Sequence, residues 1–152
     1  MKRYLYDLIL EDSNNKVILL SGPRQSGKTT LTKGLFEENI YLNYDSSEDR
    51  EFIFQNRWKR DVQAVIFDEL HKMKEWKRWI KGIYDTEGLR PRIIVTGSVN
   101  LDSFSKVGDS LAGRYFMFRL HPIDLKEAVE FTDLDPKDIF NRLGSVNKVI
   151  AL

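Results

Sequence analysis

Eight consecutive residues, Gly22-Pro23-Arg24-Gln25-Ser26-Gly27-Lys28-Thr29, carry the clearest chemical signal in the chain. They fit G-x-x-x-x-G-K-[ST], in which backbone N–H groups wrap around phosphate oxygens and glycines stand where a Cβ would collide. Gly27 falls where the loop becomes a helix, so the helix N-terminus also points at the phosphates. Lys28 is placed to reach the β and γ phosphates, and the Thr29 hydroxyl to ligate Mg²⁺. The run Gly22 to Thr30 is therefore the expected nucleotide-binding segment, with Arg24 and Gln25 shaping or guarding its mouth. Four fixed positions match by chance on the order of one time in two hundred in a chain this long. This match also follows an apolar strand and opens a helix, as the mechanism requires.

A second signal is Ala64-Val65-Ile66-Phe67-Asp68-Glu69, an apolar strand tipped with two carboxylates. Downstream of a phosphate loop, the Asp of such a pair holds the Mg²⁺ shell and the adjacent Glu orients or deprotonates the attacking water. Adjacent residues at a strand end point in different directions, so Asp68 serves the metal while Glu69 faces the water. A third is Ile93-Ile94-Val95-Thr96-Gly97-Ser98, a strand ending in small polar residues. Its tip would face the γ phosphate, where Ser98 or Thr96 senses it by a hydrogen bond; the bland alternative is a turn.

The elements that must hold these residues alternate. A helix is expected over residues 2–11, with Tyr4, Leu5, Leu8 and Ile9 on one face. Strands follow at Val17–Leu20, Ile40–Tyr44, Val62–Phe67, Arg92–Thr96 and Arg114–Leu120, with helices at Thr29–Phe36, after Ser46-Ser47, at Glu75–Tyr84 and at Asp124–Phe131. Strands separated by helices imply right-handed βαβ crossovers and a mainly parallel sheet. Asp135-Pro136 reads as a further helix start that Gly144 would close.

With 152 residues and 41% hydrophobic side chains, the chain can bury a core of its own. Net charge is +1, so global charge indicates no polyanionic partner. There is no cysteine, which excludes disulfides and thiolate metal sites, and two histidines are too few for a metal centre without several carboxylates. No apolar run approaches the ~20 residues that span a bilayer, and a cytoplasmic location is expected. Trp76 to Lys81 and Arg57-Trp58-Lys59-Arg60 interleave bases with aromatics, as single-strand binders do. On a helix, though, Trp76, Trp79, Ile80 and Ile83 form one stripe and Lys77, Arg78 and Lys81 fall elsewhere, the pattern of a core stripe with a solvated face. His71 is close enough to Asp68-Glu69 in sequence to meet a carboxylate.

GPRQSGKTTL, VIFDELHKMKEW, TGSVNL and SLAGRYFMFRLHPIDLKE, in that order, resemble the AAA+ superfamily P-loop ATPases whose loop reads GPRQ-x-GKTT. The resemblance covers about residues 15–130. It implies an α/β three-layer P-loop NTPase fold with a five-stranded mainly parallel sheet in the order 5-1-4-3-2. It also implies ATP as the nucleotide, Mg²⁺ as cofactor, Lys28 and Thr29 on both, Asp68 in the metal shell, Glu69 as catalytic base and Ser98 as sensor. Arg114, ending the LAGR segment, is implied as an arginine finger acting in cis or on a neighbouring subunit. Family members usually continue into a C-terminal region, so residues 1–131 are expected to form the ATPase core and 132–152 a short helical tail.

The expected activity is thus Mg-dependent ATP binding and hydrolysis. Two other classes compete: a non-hydrolysing nucleotide switch, and a P-loop kinase, for which an acceptor pocket and an arginine-bearing lid would be needed. A protein partner or a homo-oligomer is left open, nucleic acid is open but not indicated, and no membrane is implied.

Overall fold

The computed structural model describes residues 2–98, 111–132, 135, 137 and 138. Its elements run α1 (Tyr6–Asp12), β1 (Val17–Ser21), α2 (Lys28–Gly34), β2 (Asn39–Asn43), α3 (Ser47–Phe54), β3 (Ala64–Asp68), α4 (Trp76–Glu87), β4 (Arg92–Gly97), β5 (Tyr115–Arg119) and α5 (Leu125–Thr132). One turn of 3-10 helix, Leu70–Lys72, lies between β3 and α4.

The five strands form one sheet in the order β2-β3-β4-β1-β5, and all four pairings are parallel. This is the expected order read from the other edge. Strands β1 and β3 are buried along their whole length, as apolar runs in a sheet covered on both faces must be. Alternation divides their side chains. Val17, Leu19, Val65, Phe67, Ile93 and Val95 enter one core with Trp76, Ile80 and Ile83 of α4. Ile18, Leu20, Ala64, Ile66 and Ile94 enter the other, with Leu5 and Ile9 from the α1 side and Leu31 of α2. Three layers result, with the C-terminal strand ends, where β1 meets its loop and β3 its carboxylates, at one end of the sheet.

The tryptophan stripe belongs to the core. Trp58 packs edge-on against Phe67 and Trp79, with ring centroids 5.2 and 5.7 Å apart. Arg60 stacks on Trp58, 4.3 Å from its ring centroid, and forks onto Glu87 through two 2.8 Å bonds. Arg78 and Lys81 pair with Glu75 and Asp85. Trp58, Trp79, Arg60, Arg78 and Lys81, five of the residues that suggest a strand of nucleic acid, are thus engaged in packing and pairing within this chain.

Element ends shift for local reasons. Helix α1 begins at Tyr6 rather than at residue 2, because Arg3 is drawn inward and its carbonyl closes a turn with the Tyr6 N–H. Helix α2 ends at Gly34, a poor helix residue, two positions before the expected end. Asp124 caps α5 by accepting from the Glu127 N–H at 2.8 Å. Asp135 accepts from the Lys137 N–H at 2.8 Å, as the expected helix start requires; the remainder of that helix and residues 145–152 lie outside the described residues.

Candidate nucleotide site

The phosphate loop leaves the buried end of β1 and enters α2 through two left-handed residues, Gln25 (φ 62°) and Gly27 (φ 89°). Glycine carries little penalty at such a φ, which accounts for Gly27. Gly22 is constrained differently. A Cβ there would run into the main-chain carbonyl of Leu120, just past β5, and meet Ser26 Oγ at 3.0 Å. Close approach of protein backbone therefore already requires the first glycine, a constraint from β5 that the sequence does not show.

Lys28 is buried and its ammonium donates to two loop carbonyls, Gly22 O at 2.9 Å and Pro23 O at 2.7 Å. Burial lowers its pKa, while the charges of Asp68 and Glu69 oppose that shift, so the amine sits within the field of both carboxylates. Ser26 Oγ is buried without a hydrogen-bond partner in the same loop. Arg24, Gln25 and Thr30 are exposed, with Gln25 and Thr30 beside a small hollow of about 150 Å³ that Arg3, Tyr6 and Ile123 also line.

Across from the loop, Asp68 gathers four donors. Thr29 Oγ1 lies 3.4 Å from its Oδ2, and the Tyr41 hydroxyl also donates to Oδ2. Oδ1 accepts from the Thr96 hydroxyl and, at 3.0 Å, from the Glu69 N–H. Thr96 of β4 is therefore spent on the carboxylate, leaving Ser98, half-buried just beyond the strand, as the candidate sensor. Burial and the bond to Asp68 push the Tyr41 phenol well above its ordinary pKa, so it stays a donor.

Glu69 adopts a left-handed conformation, φ 55° and ψ 19°, which is uncommon without glycine, and its carboxylate meets a different set of partners from that of Asp68. Its N–H is held at 2.9 Å by the Thr96 carbonyl. The Glu69 carboxylate lies 3.3 Å from Lys72 Nζ and 3.7 Å from His71 Nε2. Burial lowers the His71 pKa against the pull of Glu69, which keeps the imidazole neutral at pH 7. Lys72 reaches Asp45 as well, tying the 3-10 turn to the end of β2.

Arg114 does not join this group. It precedes β5, whose register sets Tyr115 beside Val17 and Arg119 beside Ser21. The loop departs after Ser21, so Arg114 stands at the opposite end of the sheet, roughly 16 Å away along the strands. There it pairs with Asp85 at 2.9 Å.

The donors present fit a phosphate chain with a divalent cation. One threonine hydroxyl and one carboxylate converge beside a buried lysine, a sparse oxygen set suited to an ion that keeps waters and phosphate oxygens as its other ligands. Sequence reasoning missed Arg3, Tyr41 and the role of Thr96 as a ligand of Asp68. Only Thr96 carried a signal, its place one strand over from Asp68.

A phosphate loop on an inner strand of a parallel sheet, with an acidic strand tip facing it from one strand over, defines a P-loop NTPase domain of the α/β class. The chain belongs to the AAA domain family, whose profile matches residues 14–129. It is similar to the uncharacterized protein MJ1544 of Methanocaldococcus jannaschii, at 22% identity over 142 residues covering 85% of this chain and 32% of that protein. The chain thus spans about a third of the length of that curated relative. Among solved structures, AMPPCP-bound DnaA from Aquifex aeolicus superposes with a TM-score of 0.51 at 18% identity, covering 86% of this chain and 51% of the other. PCH-2 from C. elegans gives a TM-score of 0.44 at 18% identity over 78% of this chain and 40% of its own. The first likeness supports the three-layer P-loop fold, and family membership supports an ATPase-type, nucleotide-binding domain. No helix among the described residues is long and apolar enough to cross a membrane.

Proposed function

We propose that this domain binds MgATP and hydrolyses it. The observation that carries the reading is the approach of Thr29 Oγ1 to Asp68 Oδ2, 3.4 Å across the cleft between loop and β3 tip. Those two oxygens would hold Mg²⁺, whose charge offsets that developing on the β and γ phosphates. The residues of the chain do the rest. Loop N–H groups and the start of α2 bind phosphate oxygens. Lys28 exchanges its two neutral carbonyl acceptors for charged phosphate oxygens, a stronger pairing. Glu69, aimed differently from Asp68, orients the attacking water and takes its proton, and Ser98 donates toward the γ phosphate.

One observation favours a second reading, a nucleotide-binding switch. The Glu69 carboxylate is already engaged by Lys72 and flanked by His71. A glutamate held in that way would leave water unactivated until a conformational change freed it. Arg114 could reach a γ phosphate only from a second copy of the chain, so the finger role is proposed in trans.

The binding half of the proposal is tested with a fluorescent ATP analogue, with and without Mg²⁺, on wild type, Lys28→Ala and Asp68→Asn. Wild type should bind with Mg²⁺-dependent affinity. Lys28→Ala should lose at least about 100-fold, the lower end of what two charge-assisted bonds supply, and Asp68→Asn should lose the Mg²⁺ dependence. Equal binding by wild type and Lys28→Ala would remove the phosphate loop from the account.

A further inference from the structure

Arg3 stands 124 residues from Glu127 in sequence, yet the two form an ion pair of 2.8 Å with side chains only 4% exposed. The guanidinium serves three separate parts of the fold. Nε donates to Glu127 Oε1 on α5, Nη1 to the Ser26 carbonyl at 2.6 Å, and Nη2 to the His121 carbonyl at 2.7 Å. Glu127 Oε1 also accepts from the Tyr4 N–H at 3.1 Å. Glu127 Oε2, however, is buried with no hydrogen-bond partner.

Stability alone is a poor reason for this arrangement. A buried ion pair must recover the desolvation of both charges, and well-packed apolar residues often do as well or better. Here the pair is made through a single carboxylate oxygen, because the other two guanidinium nitrogens are given to main-chain carbonyls, so it lacks the second bond of a fork-on-fork pairing. What the arginine does achieve is local to the phosphate loop. The Ser26–Gly27 peptide is trans and planar, so its C=O and N–H point in opposite directions. Holding the Ser26 carbonyl on Arg3 turns the Gly27 N–H the other way. Gly27 itself sits at φ 89°, and a Cβ on it would come within 3.1 Å of Arg3 Nη1.

We infer that Arg3 is a positioning residue of the phosphate site: it fixes the Ser26–Gly27 peptide so that the Gly27 N–H is presented to phosphate before nucleotide arrives. It touches no phosphate in this arrangement and acts through the loop. Glu127, on α5, in turn holds Arg3 in the conformation that reaches Ser26. The inference deepens the nucleotide-binding reading and rests on it.

The test compares wild type, Arg3→Lys, and the double variant Arg3→Met with Glu127→Leu, which removes both charges together so that neither is left buried alone. Hydrogen exchange of the nucleotide-free proteins is followed in peptides covering residues 22–30 and 64–68. Affinity for a fluorescent MgATP analogue and the melting temperature are measured on the same samples. Both variants should melt cooperatively. The loop peptide should exchange at least ~10-fold faster in the double variant and less so in Arg3→Lys, with the β3 peptide unchanged, and affinity should fall about 10-fold in the double variant. A cooperatively melting variant with wild-type loop exchange and affinity overturns the inference. If the double variant fails to melt cooperatively, Arg3→Lys decides alone, because a lysine cannot serve three acceptors in a fixed plane. Failure of the nucleotide reading is seen separately, as absence of binding by wild type, while the exchange measurement still decides whether Arg3 orders the loop.

Discussion

Tyr41 of β2 donates its hydroxyl to Oδ2 of Asp68 on the neighbouring strand, the same oxygen that faces Thr29. The register makes this a diagonal contact, since Asp68 lies directly beside Asn43 and Tyr41 beside Ile66. Lys33 caps the ring from α2, with Nζ 3.8 Å from its centroid. Asp68 therefore enters the site already oriented from two sides, by Tyr41 and by Thr96 of β4. Groups that orient a metal-binding carboxylate set how well it binds without touching the metal.

Tyr41→Phe removes one donor and keeps the ring in place under Lys33. Mn²⁺ affinity of the nucleotide complex, read by electron paramagnetic resonance, should fall by about 10-fold or more. Nucleotide affinity without metal should not change. Loss of both together would mean that the tyrosine supports the loop rather than the carboxylate.

Gly22→Ala forces a methyl group against the Leu120 carbonyl, and backbone cannot yield as the far end of a side chain can. The loop and the end of β5 must separate, at a cost of about 1–3 kcal/mol. Melting temperature should drop by several degrees, and nucleotide binding should weaken in parallel. Unchanged melting with lost binding would mean that the glycine is needed by the ligand and not by β5.

How far the site was legible follows from how local its causes are. Gly27, Lys28 and Thr29 act through a contiguous loop, and the apolar run ending in Asp68 is a single strand, so both stand out in one dimension. The packing stripe Trp76, Trp79, Ile80 and Ile83 shows at helical spacing for the same reason. Arg3 and Glu127 meet across 124 residues, and Tyr41 reaches Asp68 from the sheet's edge strand. Neither contact leaves a periodicity or spacing to read. The left-handed turn at Glu69 and the short helix after it depend on β4, whose Thr96 carbonyl captures the Glu69 N–H. Arg114 opens a strand of an expected parallel sheet, which already puts it at the end away from the loop; the finger role comes from the resemblance, and the pairing of β5 with β1 fixes the separation.

The Arg3–Glu127 pair also gives a dependence on pH. Burial pushes the Glu127 carboxyl up, but the Arg3 hydrogen bond, the Tyr4 N–H and the Arg3 charge outweigh it, leaving the pKa below its ordinary value. A carboxyl lowered on folding stabilises the protein fully above its unfolded pKa and loses that contribution as pH falls through the folded value. Below the ordinary glutamate range, wild type should therefore lose melting temperature more steeply than Arg3→Met with Glu127→Leu. Titration of the other carboxylates is common to both proteins. Parallel melting curves down to about pH 3, well under the ordinary glutamate pKa, would mean that the pair contributes no pH-dependent stability.

Release of phosphate from saturating MgATP by wild type and Glu69→Gln, with nucleotide binding confirmed in each, tests hydrolysis most directly. Wild type should turn over and Glu69→Gln should lose at least ~100-fold with affinity retained, since in the proposed arrangement that glutamate would contact the water and not the phosphates. If both bind ATP and release phosphate at the same rate, Glu69 activates no water here, and the domain is a nucleotide-binding switch.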